Sequence, residues 1–179
     1  ETALIGFAGS PWTLAFYMVE GRGGVDGGKL KRMAYGAPDD FRALMTKLED
    51  SLVAYLCRQV EAGAEVLQLF DSWSGIADET LFERWIVEPT ARIVARIKDV
   101  HPDVPIIGFP RGAGVMVADY AMRTGINGMS VDSQVPLSWA RKATGPEVVL
   151  QGNLDNQLLV TGGDEMDAAV RRIKRTMTG

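Results

Sequence analysis

Five short apolar runs recur along the chain, and each gives way to small or polar residues and then to a helical pattern. They read ALIGFAG from Ala3, VLQLFDS from Val66, VPIIGFP from Val104, GMSVDS from Gly128 and VVLQGNLD from Val148. Strand alternating with helix predicts a parallel sheet, and runs apolar on both faces suit strands covered on both sides. From the second run to the fifth the spacing is near the roughly 30 residues per unit of a (β/α)₈ barrel. The first interval is longer, an insertion on the strand-to-helix side, which in such barrels is the catalytic side. The expected fold class is therefore α/β, a (β/α)₈ TIM barrel present as about five β/α units. A five-stranded open sheet of doubly wound type is the rival, because periodicity alone does not separate the two.

The intervening helices follow from apolar spacing. Phe41, Leu44, Leu48, Leu52, Tyr55, Leu56 and Val60 predict one long helix after Asp39 or Asp40 as N-cap, with Gly63 as its stop. Leu81, Phe82, Trp85 and Ile86 form a second stripe, and Pro89 starts a further helix that ends at His101-Pro102-Asp103. Shorter helices are expected from Val115 to Arg123, Leu137 to Ala143 and Glu165 to Met177. A short helix also follows Ser10-Pro11-Trp12-Thr13, where the first apolar run breaks.

Composition narrows the classes. The 179 residues are 46% hydrophobic and 23% charged, an ordinary globular balance that supports one domain over residues 1–179. No window approaches the roughly 20 apolar residues of a membrane span, and no signal-peptide pattern is present, so a cytoplasmic protein without a membrane partner is expected. The single Cys57 agrees with a reducing compartment. A net charge of −4 gives no nucleic-acid footprint. The basic run Arg171, Arg172, Lys174, Arg175 is expected on the last turns of a helix, where cations suit the dipole. The chain opens at Glu1 almost directly on a strand, so it is expected to be a piece truncated at both ends.

Parallel sheets put ligands beyond the carboxyl ends of their strands. Those ends read Gly9-Ser10-Pro11-Trp12-Thr13, Phe70-Asp71-Ser72-Trp73, Phe109-Pro110-Arg111-Gly112, Asp132-Ser133-Gln134 and Gly152-Asn153-Leu154-Asp155. Aromatic, hydroxyl and amide groups are concentrated there, although Ser and Asp also favour turns and aromatics also fill barrel mouths. One His and one Cys, with His101 at the opposite end of its unit, fit neither a zinc site nor a Ser-His-Asp triad, and no metal or cofactor is expected. The segment from Gly21 to Gly28 lacks the ending of a phosphate loop and reads as flexible cover, a candidate lid. Arg111 is the only basic residue directly at one of these strand ends. It either meets a substrate carboxylate or, the favoured reading, forms a salt bridge to Asp71 or Asp132.

GFAGSPWTLAFYMVEG, LQLFDSWSG, IIGFPRG and LQGNLD, in this order and at these separations, resemble the successive strand-end motifs of the uroporphyrinogen decarboxylase family. The resemblance runs from Leu4 to the helix ending near Met177. It implies a cofactor-free (β/α)₈ barrel, usually a homodimer, that removes carbon dioxide from the four acetate side chains of uroporphyrinogen III to give coproporphyrinogen III in haem biosynthesis. It also implies substrate contacts for Tyr17, in the cleft, for Phe70, against the tetrapyrrole, and for Ser72, on a substrate carboxylate. The family's Gly-Arg-rich motif, its central Asp and its late His strand are absent. The catalytic residues are therefore expected outside this chain, which would correspond to strands three to seven and be inactive alone. A corrinoid-linked methyltransferase of the same barrel type would require a His-x-Cys motif where the chain has Gly108-Phe109-Pro110-Arg111. A non-enzymatic tetrapyrrole-binding module is the rival from another class.

Overall fold

The computed structural model describes residues 2–178. Five strands occur where the apolar runs place them: β1 Ile5–Gly9, β2 Val66–Asp71, β3 Ile106–Pro110, β4 Gly128–Val131 and β5 Val149–Gly152. All neighbouring pairs are parallel, with Phe7 level with Gln68, Gln68 with Ile107, Ile107 with Gly128 and Gly128 with Val149. The strand order is β1-β2-β3-β4-β5. A doubly wound sheet reverses direction at a switch point, whereas a barrel adds each strand beside the last. The sequential order therefore decides for a five-strand sector of the (β/α)₈ barrel.

Helices follow each strand: α1 Pro11–Glu20, α2 Gly28–Gly36 and α3 Pro38–Glu61 after β1, then α4 Glu79–Phe82 and α5 Glu88–Val100 after β2. Next come α6 Val117–Arg123 after β3, α7 Leu137–Thr144 after β4, and α8 Asn156–Thr161 with α9 Gly163–Thr178 after β5. α1 and α5 both pack on α3, α6 on α7 and α7 on α9, forming one outer layer. Strand residues pointing at this layer, among them Ala8, Leu67, Leu69, Ile106, Met129 and Leu150, are buried. Residues one position away face the other side of the sheet, where Phe7 remains 62% exposed.

The core begins at the break after β1. Trp12 is fully buried and meets Phe41 of α3 edge to face at 6.1 Å, and Phe41 meets Trp85 likewise at 4.8 Å. Perpendicular aromatic pairs satisfy the ring quadrupoles as well as excluding water. The buried stripe of α3 is Phe41, Met45, Glu49, Leu52 and Leu56; of the predicted set, Phe41, Leu52 and Leu56 belong to it, Leu44, Leu48 and Val60 pack half-buried against the core, and Tyr55 is exposed. Glu49 belongs to the stripe because Arg92 of α5 grips it with two hydrogen bonds of 2.9 Å, so an acidic residue occupies a core position.

Two further expectations are corrected. Pro38 occupies the first turn of α3 and Ala37 its cap, so Asp39 and Asp40 lie inside the first turn, where they favour the helix dipole. Pro89 does not follow a break: Glu79 to Val100 is one helical run, widened into a π-turn over Glu83–Val87. A proline cannot donate to the carbonyl four residues back and its ring crowds it, and a wider turn relieves both. α2 follows the glycine segment as a helix that the sequence reading does not place, with Leu30 and Ala34 buried at helical spacing.

Gly108 fixes the distance between β3 and α6. A Cβ there would lie 2.5 Å from Tyr120 Cε1 and 2.6 Å from its hydroxyl, and Tyr120 is fully buried. In the full-length protein Gly108→Ala should lower stability by about 1–3 kcal/mol through overpacking. Denaturant midpoints check this, and adding Tyr120→Leu should recover part of the loss.

Candidate active site

The Ser10-Pro11-Trp12-Thr13 break joins two strand ends. Ser10 N–H extends the ladder to Phe70 O at 2.8 Å, Pro11 opens α1, and the next two side chains reach across to the end of β2. The Trp12 indole donates to Trp73 O at 3.0 Å, and the Thr13 hydroxyl donates to Asp71 Oδ1 at 2.7 Å while accepting the Trp73 N–H at 3.3 Å. Strand alternation sends Phe70 to the open face and Asp71 toward the helices, where Asp71 is fully buried. Its second oxygen has no hydrogen-bond partner. Burial without a counter-charge raises its pKa to about 7, and the Thr13 hydrogen bond opposes this only in part.

β3 ends against this loop. Arg111 N–H donates to Asp71 O at 3.1 Å, and Arg111 O accepts from Gly75 N–H at 3.1 Å and from the Ser74 hydroxyl at 2.7 Å. Gly112 has φ +78°, and a Cβ on it would come within 3.2 Å of Gly75 Cα, so the two loops touch backbone to backbone. Asp132, after β4, accepts Gly112 N–H on Oδ2 at 2.8 Å and Gln134 N–H on Oδ1 at 3.0 Å. The Asn153 amide, after β5, donates to Asp132 O at 3.2 Å and Val135 O at 2.7 Å.

Two cavities open along this row. One of about 200 Å³ is lined by Ser72, Trp73, Arg111, Asp132, Ser133 and Gln134 among others. The second, of about 670 Å³, lies over the inner face, with Gln68, Phe70, Phe109, Arg111, Ser130 and Asn153 in its wall. Phe7, Phe70 and Phe109 run across adjacent strands at 5.9 and 6.0 Å, edge to face. At mid-depth Gln68 donates to Ser130 Oγ at 3.0 Å and Gln151 Oε1 at 3.2 Å, and Ser130 also bonds Gln151. A larger groove of about 1270 Å³ lies outside the row, beside α4 and α6, with the ion-paired Glu83 and Arg123 in its wall. Its size does not outweigh the chemistry at the strand ends.

The predicted site residues are brought together in part. Phe70 lines the inner cavity and Ser72 the smaller one, and Arg111 is common to both. Tyr17, 47% exposed on α1, lines neither. It reaches the site through Trp73, whose ring it meets edge-on at 6.1 Å, while Phe16 stacks on the same indole at 4.1 Å. The favoured salt bridge from Arg111 to Asp71 or Asp132 does not form. Asp71 is buried on the helix side, and both Asp132 oxygens are taken by backbone N–H groups. His101 follows α5 and precedes β3, at the opposite end of the sheet. Among the described residues no group of three or more His, Cys, Asp or Glu side chains is arranged to hold a metal ion. Sequence reasoning missed Gln68, Ser130 and Gln151. The signal for Gln68 was available: it is the polar residue in VLQLF that shares a face with Phe70.

The family model for uroporphyrinogen decarboxylase (URO-D) matches residues 1–179. The chain belongs to the uroporphyrinogen decarboxylase family. The uroporphyrinogen decarboxylase of Rhodospirillum rubrum is 48% identical over 98% of this chain and 51% of its own length. That of Sphingopyxis alaskensis is 47% identical over 97% and 51%, and that of Granulibacter bethesdensis 45% over 100% and 52%. The chain thus spans about half the length of the curated relatives it matches. The family's barrel fold agrees with the sequential strand order.

Asp71 gives this family member a pH-dependent stability. An unfolded Asp titrates near pH 4 and the native carboxyl at about 7, so between these values only the unfolded chain has released the proton. Stability should therefore fall as pH rises from about 4 to about 7 and level off above. Asp71→Asn in the full-length protein should remove a loss of a few kcal/mol. Urea midpoints of wild type and variant at pH 5 and pH 8 measure this, the variant gaining more at the higher pH.

Proposed function

We propose that this chain forms the substrate-facing wall of a uroporphyrinogen decarboxylase, which converts the four acetate side chains of uroporphyrinogen III to methyl groups. The observation that supports this best is the Phe7-Phe70-Phe109 row beneath a rim of Ser72, Arg111 and Ser133. A macrocycle needs flat apolar contact, and its acid arms need donors at the edge. Phe70 packs on the tetrapyrrole, Ser72 donates to a substrate carboxylate, and Tyr17 with Trp73 closes the outer side of the cleft. The chemistry needs no external electron sink. Protonation of the pyrrole carbon beside the acetate arm creates a cation, which accepts the electron pair when the carboxylate leaves as carbon dioxide. A second proton on the methylene carbon then gives the methyl group, and loss of the first proton from the ring carbon restores the pyrrole. The intact enzyme acts in the cytoplasm and as a homodimer, and sedimentation of the full-length protein tests the latter.

Full-length protein supplied with uroporphyrinogen III should release carbon dioxide and yield coproporphyrinogen. Binding of the porphyrin acid with no release would favour a non-enzymatic module. Ser72→Ala should weaken substrate handling by about 1–3 kcal/mol, the scale of a hydrogen bond to a charged group, without stopping turnover. Tyr17→Phe should lower kcat/KM with the melting temperature nearly unchanged, since the side chain is half-exposed. Unchanged rates in both variants would remove Tyr17 and Ser72 from the site.

A further inference from the structure

We infer that Arg111, with the Ser72 and Ser133 hydroxyls, forms a carboxylate-binding subsite in the cavity of about 200 Å³, holding one acid arm of the substrate. The inference rests on the functional reading above and assigns Arg111 a role within it.

Arg111 is held without use of its side chain. Its N–H donates to Asp71 O and Phe109 O, and its carbonyl accepts from Gly75 N–H and from the Ser74 hydroxyl. The close Gly75–Gly112 contact fixes the loop on its other flank. The Cα position is therefore rigid, which a subsite needs if binding is not to be offset by ordering. The guanidinium makes no hydrogen bond or ion pair among the described residues.

The neighbouring acids explain why it stays open. Asp132 lines the same cavity, yet its two oxygens accept the Gly112 and Gln134 N–H groups at 2.8 and 3.0 Å. Asp71 is buried behind the sheet, with Thr13 on one oxygen. The remaining lining offers hydroxyls from Ser72 and Ser133 and the Trp73 ring. A planar guanidinium beside two hydroxyl donors matches a carboxylate, which accepts on both oxygens. Arg111 also lines the larger cavity, so an arm held by it leaves the ring over Phe70 and Phe109.

The test uses the full-length protein and uroporphyrin III, the unreactive oxidised octacarboxylate, with binding read by porphyrin fluorescence. Arg111→Gln should weaken binding by about tenfold or more, the scale for a hydrogen bond to a charged group. The melting temperature should hardly move, because the side chain makes no hydrogen bond or ion pair among the described residues. Arg111→Lys keeps the charge but not the fork and should retain part of the affinity. Arg58→Gln makes the same charge change on α3, far from the rim, and should bind like wild type. Wild-type affinity in Arg111→Gln, or an equal loss in Arg58→Gln, overturns the subsite and leaves the functional reading standing. Wild-type protein that neither binds the probe nor releases carbon dioxide overturns both. If Arg111→Gln does not fold, Arg111→Lys decides: weaker binding at constant melting temperature supports the subsite, and full affinity overturns it.

Discussion

The hydrogen bond from Thr13 to Asp71 ties the first strand end to the second, and the rest of the rim is referred to it. Through the Thr13 oxygen it holds the Trp73 N–H, and the Trp12 indole holds the next carbonyl. The Asp71 and Arg111 backbones then pass this position on to β3. A chain of main-chain and buried side-chain bonds is stiff because each group is desolvated and costly to leave unpaired. The one carboxyl oxygen that lacks a partner is the weak point of this arrangement. Burial of this carboxyl raises its pKa to about 7, opposed in part by the Thr13 hydrogen bond.

Two faces of one sheet serve different ends. The face toward the helices is apolar and closely filled, as Gly108 against Tyr120 illustrates. The inner face carries three phenylalanines on β1 to β3 and, beside them, the Gln68–Ser130–Gln151 network. Strands β2, β4 and β5 contribute one polar side chain each, so the amides satisfy one another across β3 and are not left to hydrocarbon. Strand alternation alone generates this division.

That alternation was legible in the sequence, as were the five strands and the helices that follow Val115, Leu137 and Glu165. The choice between barrel and doubly wound sheet was not, because it depends on which strands pair, and pairing leaves no local mark on composition. Glu49 was passed over since an acidic residue breaks an apolar stripe unless its cation is known, and Arg92 lies on another helix. At the site, strand-end position singled out Arg111 and the family resemblance Phe70 and Ser72, but neither gave the partner choice of Arg111. A carboxylate at a turn has a local use as an acceptor for backbone N–H groups. Asp132 takes that use, and the ion pair expected from proximity in the fold is lost to it.

The same preference settles how a chain of net charge −4 can present a rim suited to an anion. Acidic residues on the strand-end side are consumed by the backbone. Glu20 accepts Lys29 and Leu30 N–H, Asp26 accepts Gly28 N–H, Asp78 accepts Leu81 N–H, Asp132 accepts Gly112 and Gln134 N–H, and Asp155 accepts Gln157 N–H. Each carboxylate faces the positive ends of peptide dipoles at a turn or helix start, which offsets its field locally. Arg111 has no such offset. The local potential at the rim therefore depends on which charges are already engaged as well as on their sum, and Arg111, which lines one cavity with Ser72 and Ser133, makes no side-chain hydrogen bond or ion pair among the described residues.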